Sequence, residues 1–583
     1  MSDLIVGIDL GTTNSVLAVT LEGRIKVIDI HGQPTMPSCV GLDSAGKLIV
    51  GNAARNQLIA APDATVVSIK RKMGEEIRVK LGDKEYSPEE ISSFILRELK
   101  IEGERQLGQP IKKAVITVPA FFNERQRKAT QIAGELAGLE VVRIINEPTA
   151  AALAYGAGRT SDETMLVYDL GGGTFDVSVV VVEQGVVEVK ASHGDTHLGG
   201  DDFDDLLVQR AVREFREKHG VDLSANSAIL CRLKVVLERA KCHLSDEPFV
   251  SVREEYLDGQ HHLEMEISRA EYEEMIALLL EKTLTCIHQS MQDARLIPKD
   301  IGKVMLVGGS TRTPIVHRLL HERLQVEPRW EINPDLIVAM GAAIQGAIIA
   351  GEKNYSILVD ITPHTFGTTT VAVRDGFERL VCAPIIPRNT PLPASKSEVF
   401  FTMYDNQDEV KVDARQGESF LPEENSLIGD FLVEGLSPVP AGSPIIIHFD
   451  LDLNGMLKVT ATEKHTGLAK TVTMDTRGNR ALDVDEARRN IASLIGDPAA
   501  GVATNGDETA DVETEESPEE LLASAKDLRK RGEALLTKGL GADDAEEIRK
   551  LIHDSAEAIK NRDWAALGGA NDTLSDLVFY LED

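Results

Sequence analysis

Along roughly the first 350 residues, short apolar runs of β type alternate with longer segments of helical periodicity. Residues 114–118 and 304–307 are two such runs. A turn follows each run and leads into a helical segment, Glu124–Leu136 in one case and a segment beginning near Pro314 in the other. Strands that alternate with helices are typical of α/β domains. The pattern therefore predicts an α/β domain over this part of the chain.

From about residue 361 to 480 the periodicity changes to the alternation of short strands separated by Gly, Pro, Asp and Asn turns. This pattern predicts a compact antiparallel β-sandwich. The short apolar run of residues 355–360 precedes it after a polar break and is a candidate linker. The clearest alternating runs are residues 399–403, 409–413, 445–449 and 456–460.

Beyond residue 483 the pattern is helical again, beginning with residues 485–494. Residues 517–520, Ser-Pro-Glu-Glu, form a capping box with proline at the first helical position. Three apolar stripes follow, which predict a small bundle of amphipathic helices. The stripes are Leu521, Ala525, Leu528, Gly532 and Leu535; Ile548, Leu551, Ile552 and Ile559; and Leu574, Leu577, Val578 and Leu581.

One short stretch occurs twice in the α/β region. Residues 6–14, Val-Gly-Ile-Asp-Leu-Gly-Thr-Thr-Asn, are matched by residues 167–176, Val-Tyr-Asp-Leu-Gly-Gly-Gly-Thr-Phe-Asp. Each copy is an apolar run ending at an aspartate, then a Gly- and Thr-rich turn and a second β-branched run. Both copies are therefore predicted to be hairpins with a carboxylate at the turn.

Such a turn suits phosphate binding with a metal ion. Glycines let backbone amides approach an anion, Thr12, Thr13 and Thr174 add hydroxyl donors, and the aspartates can hold a hydrated Mg²⁺. A single Asp-Leu-Gly is most often an ordinary hairpin turn. Two copies about 160 residues apart favour two similar subdomains that face each other.

Three further segments suggest a nucleotide site. Residues 308–311, Gly-Gly-Ser-Thr, lie between a strand and a helix, where backbone amides favour an anion. Glu147 directly precedes Pro148 at the start of an Ala-rich helix, either as a helix-entry residue or as an active-site group. Glu238, Lys241 and Ser245 share one helical face, which by itself is most often a solvated face.

Composition limits the function classes. A chain of 583 residues should form at least two folded units. The net charge of −32 argues against broad nucleic-acid binding, and much of the acidity lies in a short insert at about 500–517. We found no membrane span or secretory signal peptide and expect a cytoplasmic protein. Five scattered cysteines indicate neither disulfides nor a zinc site.

Together these segments resemble the DnaK-type 70-kDa heat-shock chaperone family along almost the whole chain, in the manner of a short bacterial member with a reduced lid. The order and spacing of the motifs agree with that family. The matching motifs are Ile8-Asp-Leu-Gly-Thr-Thr-Asn-Ser15, Val118-Pro-Ala-Phe-Phe-Asn123, Ile145-Asn-Glu-Pro-Thr-Ala-Ala-Ala152, Tyr168-Asp-Leu-Gly-Gly-Gly-Thr-Phe-Asp176, Gly194-Asp-Thr-His-Leu-Gly-Gly200, Leu306-Val-Gly-Gly-Ser-Thr-Arg312 and Asn333-Pro-Asp335.

The resemblance implies a multidomain protein: an α/β actin-like ATPase domain at residues 1–352, an interdomain linker at 353–360, an antiparallel β-sandwich that binds peptide at 361–482, and an α-helical bundle acting as a lid at 483–583. It also implies ATP or ADP, Mg²⁺ and K⁺ as cofactors. The implied function is an ATP-dependent molecular chaperone, active in protein folding and the stress response, that binds extended apolar segments of unfolded polypeptides.

The resemblance carries roles to matching positions. Asp9, Asp169 and Asp176 would lie around the metal. Lys70 would orient the attacking water, assisted by Glu147 and Thr174, so these three residues and Asp169 are the implied catalytic groups. The implied ATP-binding residues are Gly11, Thr12, Thr13, Asn14, Gly171, Gly172, Gly173, Glu238, Lys241, Ser245, Gly308, Gly309 and Arg312.

Further positions are implied to connect the nucleotide to other partners. Pro119, Arg127, Arg143 and Asp360 match an interdomain relay and the region where a J-domain co-chaperone acts; a nucleotide exchange factor is a further implied partner. Val371, Phe400, Met403, Val410 and Val412 match the peptide groove. Met403 and Thr368 depart from the common residue types there, which alters the expected peptide preference.

Two alternative functions remain at this stage. One is a regulatory peptide binder that uses ATP mainly as a sensor. The other is a small-molecule kinase on the same ATPase fold, which would leave residues 361–583 without a role.

Overall fold

The computed structural model describes residues 4–157, 162–352, 355–374, 377–464, 469–473, 482–495, 525–526, 528–531, 536, 542–561 and 567. The chain divides into two compact units, residues 1–497 and 498–583. The first contains the α/β region, the sandwich and one helix after it, and the second contains the C-terminal helical region.

The first sheet of the α/β region is built around the first Asp-Leu-Gly hairpin. Strand β1 pairs in parallel with β10 and antiparallel with β2, and the strand order is β11-β10-β1-β2-β3 with β4 beside β2. The strands and their neighbours in chain order are β1 Ile5–Asp9, β2 Asn14–Leu21, β3 Arg24–Ile28, β4 Met36–Pro37, β5 Val40–Leu42, β6 Leu48–Val50, β7 Thr65–Val66, β8 Val79–Leu81, β9 Lys84–Tyr86, β10 Lys113–Val118 and β11 Glu140–Asn146.

The second sheet repeats this pairing around the second hairpin. Strand β12 pairs in parallel with β17 and antiparallel with β13, in the order β18-β17-β12-β13-β14-β19. Both predicted hairpins are therefore present, in two sheets of similar construction. The strands are β12 Glu163–Leu170, β13 Phe175–Glu183, β14 Val186–Asp195, β15 Phe249–Glu254, β16 Leu263–Ser268, β17 Lys303–Val307, β18 Pro328–Arg329 and β19 Ile357–Val359.

Helices cover these sheets and bring the two halves together. Helix α9 packs so closely on β1 that a Cβ atom at Gly7 would lie 2.1 Å from the backbone nitrogen of Ala343. The predicted helix starts at Glu124 and Pro314 are both observed. The helices are α1 Asn52–Gln57, α2 Pro88–Leu107, α3 Glu124–Leu136, α4 Glu147–Gly156, α5 Gly200–His219, α6 Ser227–His243, α7 Arg269–Asp293, α8 Pro314–Leu324, α9 Ile337–Ile349, α10 Val484–Ile495 and α11 Ala542–Asn561.

The region after β19 is a sandwich of two antiparallel sheets with strand orders β21-β20-β23-β24 and β22-β25-β26-β27. Alternating residues of both sheets meet in one core that includes Phe366, Val412, Phe449 and Val459. The strands are β20 Phe366–Arg374, β21 Phe377–Ile386, β22 Ala394–Phe401, β23 Glu409–Gln416, β24 Ser426–Glu434, β25 Pro444–Leu451, β26 Leu457–Glu463 and β27 Ala469–Thr473.

The segment predicted as the linker has a regular structure of its own. Ile357–Val359 forms β19, which extends the second sheet by pairing in parallel with residues 186–188 of β14. A short apolar run fits a linker and a strand equally well, and here a free sheet edge provides the partner.

Helix α10, predicted at residues 485–494, packs on the α/β region. Its buried Ala487 and Ile491 belong to the same core as Phe94 of α2 and Ala129 of α3. Asn490 Nδ2 also donates a 3.1 Å hydrogen bond to Glu90. The docked helix is therefore held by both apolar and polar contacts.

In the second unit, α11 is the long described helix, and its Ile548 and Ser555 are buried. Ala525, Ala558 and Leu567 share a small apolar cluster. The acidic insert, the capping box at residues 517–520 and the apolar stripe at residues 574–581 lie outside the described residues.

Candidate functional site

The two Asp-Leu-Gly turns face each other at the bottom of a cleft between the two sheets. Asp9 ends β1, and Asp169 is the penultimate residue of β12. The turns touch, because a Cβ atom at Gly172 would lie 2.0 Å from Thr13 Oγ1. Only glycine permits this approach, which explains the glycine run in the second copy.

Three aspartates lie at or beside the floor of this cleft: Asp169 and Asp176 are buried, and Asp9 is half-buried. Burial, followed by the charge of Glu147, raises the pKa of Asp9 and of Asp176 to about 7 and raises that of Asp169 well above its usual range. Thr117 Oγ1 donates a 3.0 Å hydrogen bond to Asp9. Buried carboxylates that raise one another's pKa values are stabilised by a bound cation. Oxygen ligands of this kind fit Mg²⁺.

Lys70 and Glu147 form a buried ion pair at the side of the aspartates. Lys70 lies in a short 3₁₀ turn, Ile69–Lys72, which follows Ser68 in a left-handed conformation. Pro148 lies in the first turn of α4, as the sequence predicted, but the helix begins one residue earlier than expected, at Glu147. The pair places one ammonium and one carboxylate at fixed positions in a site sheltered from water.

The cleft contains a cavity of about 850 Å³. This volume is within the range of small-molecule sites. One wall carries the third predicted turn, where Gly308 has a positive φ of 83° and Ser310 Oγ donates a 2.8 Å hydrogen bond to the Gly171 carbonyl. The glycine turns and the hydroxyl groups of Thr12 and Thr174 therefore line one continuous space.

The opposite wall comes from α6 and the segment after it. Lys241 Nζ donates hydrogen bonds to Asp204 and to the Gly200 carbonyl, at 2.8 and 2.9 Å. Arg55 Nη2 lies 2.7 and 2.8 Å from the two carboxylate oxygens of Glu238. Ser245 follows the end of α6 at His243, so the predicted helix is two residues too long.

Most of the implied nucleotide residues line this one cavity. Arg312 lies at its rim, where Nη2 is 2.7 Å from Asp335 Oδ2. Gly173 and Asp176 lie beside the cavity without lining it. The implied residues that line it are Asp9, Gly11, Thr12, Thr13, Asn14, Lys70, Glu147, Asp169, Gly171, Gly172, Thr174, Glu238, Lys241, Ser245, Gly308, Gly309 and Arg312.

A chain of hydrogen bonds leads from the cleft floor to the end of the linker segment. The Phe121 amide donates a 3.0 Å bond to Asp176, and Arg127 donates to the Phe122 carbonyl and, at 2.6 Å, to Asn146 Oδ1. Asn146 Nδ2 then donates to both oxygens of Asp360, at 3.1 and 3.0 Å. Burial raises the pKa of Asp360 and lowers that of Arg127.

The other two implied relay residues lie beside this chain. The Pro119 carbonyl accepts a 3.1 Å hydrogen bond from the Phe122 amide, which closes the turn before α3. Burial lowers the pKa of Arg143, whose Nε is buried and has no hydrogen-bond partner among the described residues. The next amide, of Ile144, donates a 3.1 Å bond to Asn454 of the sandwich.

The sandwich makes further polar contacts with the α/β region. Gln416 Oε1 accepts a 3.0 Å hydrogen bond from the Glu124 amide at the start of α3. His364 Nε2 donates a 2.9 Å bond to the Phe121 carbonyl, and the two rings are 4.4 Å apart. Phe121 also stacks on His193 at 4.8 Å. These aromatic side chains connect the sandwich to the turn that holds Asp176.

The five implied groove residues differ in accessibility. Val412 is buried in the sandwich core, and Phe400 and Val410 pack against that core. Val371 is half-buried on β20, and Met403 is 57% exposed in the loop after β22. In this conformation Val412 offers no surface to a peptide.

Thr368, the other unusual residue of the implied groove, is buried and donates a 3.3 Å hydrogen bond to Asp413. Thr369 and Arg415 also donate to this carboxylate, at 2.6 and 2.7 Å. The threonine therefore supports a polar network between β20 and β23.

Sequence reasoning did not single out several residues that line the cavity or join it to the linker. Asn146 and Asp335 lie within quoted motifs, which is the signal that could have identified them. His317 and Trp330 lie outside every motif. The residues missed are Asn146, Asp201, Asp204, Cys242, His317, Trp330 and Asp335. In the part of the chain that the structure describes, no helix has the length and apolarity needed to cross a membrane.

Comparison with known proteins identifies the family of this chain. The Hsp70 protein family model matches residues 5–581. A protein named Chaperone protein DnaK, from Thermotoga petrophila, is 46% identical over 506 residues, which cover 84% of this chain and 83% of the relative. Another Chaperone protein DnaK, from Thermosipho melanesiensis, is 42% identical over 579 residues, which cover 97% of this chain and 94% of the relative.

Members of this family hydrolyse ATP to drive a chaperone cycle, and they bind ATP or ADP with Mg²⁺. The floor, walls and volume of the cleft fit that activity, and the kinase alternative is disfavoured because the relatives match the sandwich as well as the α/β region. The chain belongs to the Hsp70 family, and it is an ATP-dependent molecular chaperone.

Proposed function

We propose that ATP binds in the cleft with its phosphates against the two Asp-Leu-Gly turns. The backbone amides of these turns and the hydroxyl groups of Thr12, Thr13 and Thr174 bind the phosphate oxygens. Asp9, Asp169 and Asp176 would hold Mg²⁺ and the accompanying K⁺, since they supply carboxylate oxygens at and beside the floor of the cleft. When bound, the divalent ion neutralises charge on the phosphates.

Lys70, Glu147 and Thr174 carry the hydrolytic chemistry. The buried ion pair fixes the Lys70 ammonium and the Glu147 carboxylate beside the aspartates, where the two groups orient the attacking water. Thr174 donates a hydroxyl from the second turn. Little covalent chemistry is needed from the protein in phosphoryl transfer, so these groups act through positioning and charge stabilisation.

The adenosine lies between α6 and the Gly308–Arg312 region. Glu238, Lys241 and Ser245 border it on one side, and Arg312 borders it on the other. Gly308 packs against the second turn, where a Cβ atom would lie 2.4 Å from the Leu170 carbonyl oxygen, and Gly309 lines the cavity beside it.

Residues 1–352 form the ATPase domain, 353–360 the linker, 361–482 the peptide-binding sandwich and 483–583 the helical lid. The observation that carries this proposal is the buried hydrogen-bond chain from Asp176 through Arg127 and Asn146 to Asp360. A change at the nucleotide is transmitted along these contacts to the linker. ATP then favours an open sandwich with fast peptide exchange, and hydrolysis favours a closed one.

The sandwich binds extended apolar peptide segments. Several large apolar side chains are exposed on its loops and strands, among them Val373, Phe401, Met403 and Tyr404. Exposed apolar side chains that lie close together mark interaction surfaces. Phe400, Val410 and Val371 are half-buried and contribute to the same peptide surface, whereas Val412 is buried.

A J-domain co-chaperone acts near Arg143 and Asp360, where the linker strand joins the ATPase domain, and a nucleotide exchange factor opens the cleft. Arg143 is a half-buried cationic side chain at this point, which supports an acidic partner. The cytoplasmic location remains a prediction from the sequence.

Single-turnover hydrolysis of radiolabelled ATP tests the assigned roles. Lys70→Ala and Thr174→Ala are expected to slow phosphate release by roughly 100-fold or more, the loss typical of removing one charge-stabilising donor. Exposed Lys72, in the same 3₁₀ turn, gives the matched control Lys72→Ala, which should hydrolyse ATP at the wild-type rate. Unchanged rates in both site variants would refute these roles, and transfer of phosphate to an added metabolite would support the kinase alternative.

A further inference from the structure

Two aromatic side chains, Trp330 and His317, lie in the wall of the nucleotide cavity and have no role in the proposed function. Trp330 and His317 both line the cavity, and their ring centroids are 4.6 Å apart with an interplanar angle of 54°. Trp330 is 41% exposed, and His317 is half-buried. The pair comes from two separate elements, since Trp330 follows β18 and His317 lies on α8.

The Trp330 ring is fixed in place from two sides. Its indole Nε1 donates a 3.1 Å hydrogen bond to Thr311 Oγ1, which in turn donates a 2.6 Å bond to the Gly308 carbonyl. The His317 ring packs against it. Burial lowers the pKa of His317, which favours its neutral form. Trp330 is thereby attached to the turn that forms one wall of the cavity.

The location of the Trp330–His317 pair indicates which part of the nucleotide it contacts. The phosphate end of the cavity is occupied by the two Asp-Leu-Gly turns and the Lys70–Glu147 pair, which are polar and charged. Trp330 instead adjoins the Gly308–Arg312 turn, through its hydrogen bond to Thr311 beside Arg312, and Arg312 and residues of α6 line the same cavity. The two ends therefore differ in chemistry: one suits an anion, and the other suits a flat, largely apolar ring.

A rigid tryptophan exposed in a cavity is a favourable platform for such a ring. An aromatic face stacks on any base, since every base has a π face, and the indole is already ordered before the ligand arrives. Little conformational entropy is then lost on binding. Stacking also removes apolar surface of the indole and of the base from water, which favours binding.

We propose that Trp330 contacts the adenine base of the bound nucleotide and that His317 is a positioning residue that holds the indole ring in the cavity wall. The inference rests on the proposed placement of ATP and adds to it a determinant of base affinity contributed by this chain's own aromatic pair. Substitutions at Trp330 and His317 should therefore change the affinity for the base of the nucleotide and leave the affinity for the phosphates unchanged.

Equilibrium binding of ADP and of inorganic tripolyphosphate to the full chain separates base from phosphate contacts. Trp330→Ala should weaken ADP binding by about 5- to 150-fold, the range given by aromatic–base stacking, and leave tripolyphosphate binding unchanged. Trp330→Phe should retain most of the affinity, which also controls for folding. Phe249→Ala, which truncates an exposed aromatic side chain outside the cavity, is the matched control and should bind both ligands normally.

Fluorescence provides a direct readout of the contact. The sequence contains two tryptophans, so a Trp564→Phe background leaves Trp330 as the only one. ADP should change its emission, whereas tripolyphosphate should not. In the same background His317→Ala should diminish both the emission change and the ADP affinity, and His317→Phe should restore them because it keeps a ring against the indole.

The possible outcomes are distinct. Wild-type ADP affinity in folded Trp330→Ala, or an unchanged Trp330 emission on ADP binding, would overturn the inference while leaving the proposed ATP site intact. Equal weakening of ADP and tripolyphosphate would also overturn it, because the effect would then be general damage to the cleft. If the wild type bound neither ADP nor tripolyphosphate, the proposed function itself would fail.

Discussion

Asn146 Nδ2 donates hydrogen bonds to both carboxylate oxygens of Asp360, at 3.1 and 3.0 Å. Asn146 directly precedes Glu147, whose carboxylate is paired with Lys70 in the nucleotide cleft. Asp360 directly follows the linker strand β19. Of these two neighbouring residues, Glu147 thus faces the ATP cleft and Asn146 contacts the end of the linker.

The first prediction concerns this contact. Asn146→Ala removes the amide group that donates to both oxygens of buried Asp360. Oδ1 keeps its bonds from Thr149 Oγ1 and the Ile361 amide, whereas Oδ2 loses its donor, which costs on the order of 1–3 kcal/mol for an unsatisfied buried group. The docked arrangement of linker and sandwich should weaken, so ATP should accelerate peptide release less than in the wild type. The measurement is the stopped-flow release rate of a fluorescent apolar peptide after ATP is added.

Gln131→Ala is the control for Asn146→Ala. Gln131 lies on α3 and makes an exposed hydrogen bond to Glu135, far from the linker contact. Its loss should leave ATP-driven release unchanged. Wild-type acceleration in Asn146→Ala would show that the Asn146–Asp360 contact does not carry the signal.

A second prediction follows from the Lys70–Glu147 pair. Glu147→Gln removes the carboxylate and leaves the buried ammonium without its partner, so we expect single-turnover hydrolysis to fall by about 100-fold while ATP still binds. Binding should be measured by equilibrium titration alongside the hydrolysis rate. A variant that binds ATP and hydrolyses it at the wild-type rate would contradict the role of this residue.

The third prediction is a pH dependence of docking. Burial lowers the pKa of His364 to about 4, whereas an exposed histidine has a pKa near 6.5. Between these values the undocked state binds the extra proton and the docked state does not, so docking is favoured at pH 7 and weakens as the pH falls through 6.5. Proton linkage gives a loss of roughly 2 kcal/mol at pH 5.

This loss of docking can be measured, in the presence of ATP, by energy transfer between a dye on the ATPase domain and a dye on the sandwich. Other groups near His364 also titrate or carry charge: burial lowers the pKa of His193, and Glu418 and Arg127 contribute charge. Burial raises the pKa of Asp360, which favours docking at low pH and opposes the His364 effect.

A pair of histidine variants isolates the contribution of His364. His364→Gln keeps a donor for the Phe121 carbonyl and cannot titrate, so the loss of docking between pH 7 and 5 should shrink. His288→Gln removes an exposed histidine of α7 and should retain the full pH dependence. Identical pH profiles for wild type and His364→Gln would rule out His364 as the responsible group.

The fourth prediction concerns the Arg55–Glu238 ion pair, which links α1 to α6 across the cleft. Partly exposed pairs contribute about 0.2–1 kcal/mol, so Arg55→Ala should speed dissociation of a fluorescent ADP by up to about fivefold. The difference from wild type should diminish at high salt because screening weakens the pair. Arg24→Ala, at an exposed position of β3, should not change the rate at any salt concentration.

Local features of the fold could be predicted because their signals are local. The start of α3 is fixed by a capping box between Asn123 and Gln126, and Pro314 can occupy only the first turn of α8. The two Asp-Leu-Gly hairpins carry their own turn residues. Their repetition predicted two halves that face each other, and the two turns do meet. The phosphate site between them stays a prediction.

Long-range contacts were not predictable in this way. Gln416 reaches the Glu124 amide and Asn454 reaches that of Ile144 across about 300 residues of chain, and no periodicity in either segment indicates the other. Strand β19 forms because β14 offers an edge, which its own short apolar run does not reveal. Trp330 lies in no motif, and only the folded cavity shows what it faces.

The most direct test of the account is the dissociation rate of a labelled apolar peptide with and without ATP, measured on protein that also hydrolyses ATP in the same preparation. We predict that ATP accelerates release in the wild type and that Asn146→Ala reduces this acceleration while hydrolysis continues. A peptide release rate that is independent of ATP in hydrolytically active wild-type protein would contradict the proposed coupling between the cleft and the sandwich.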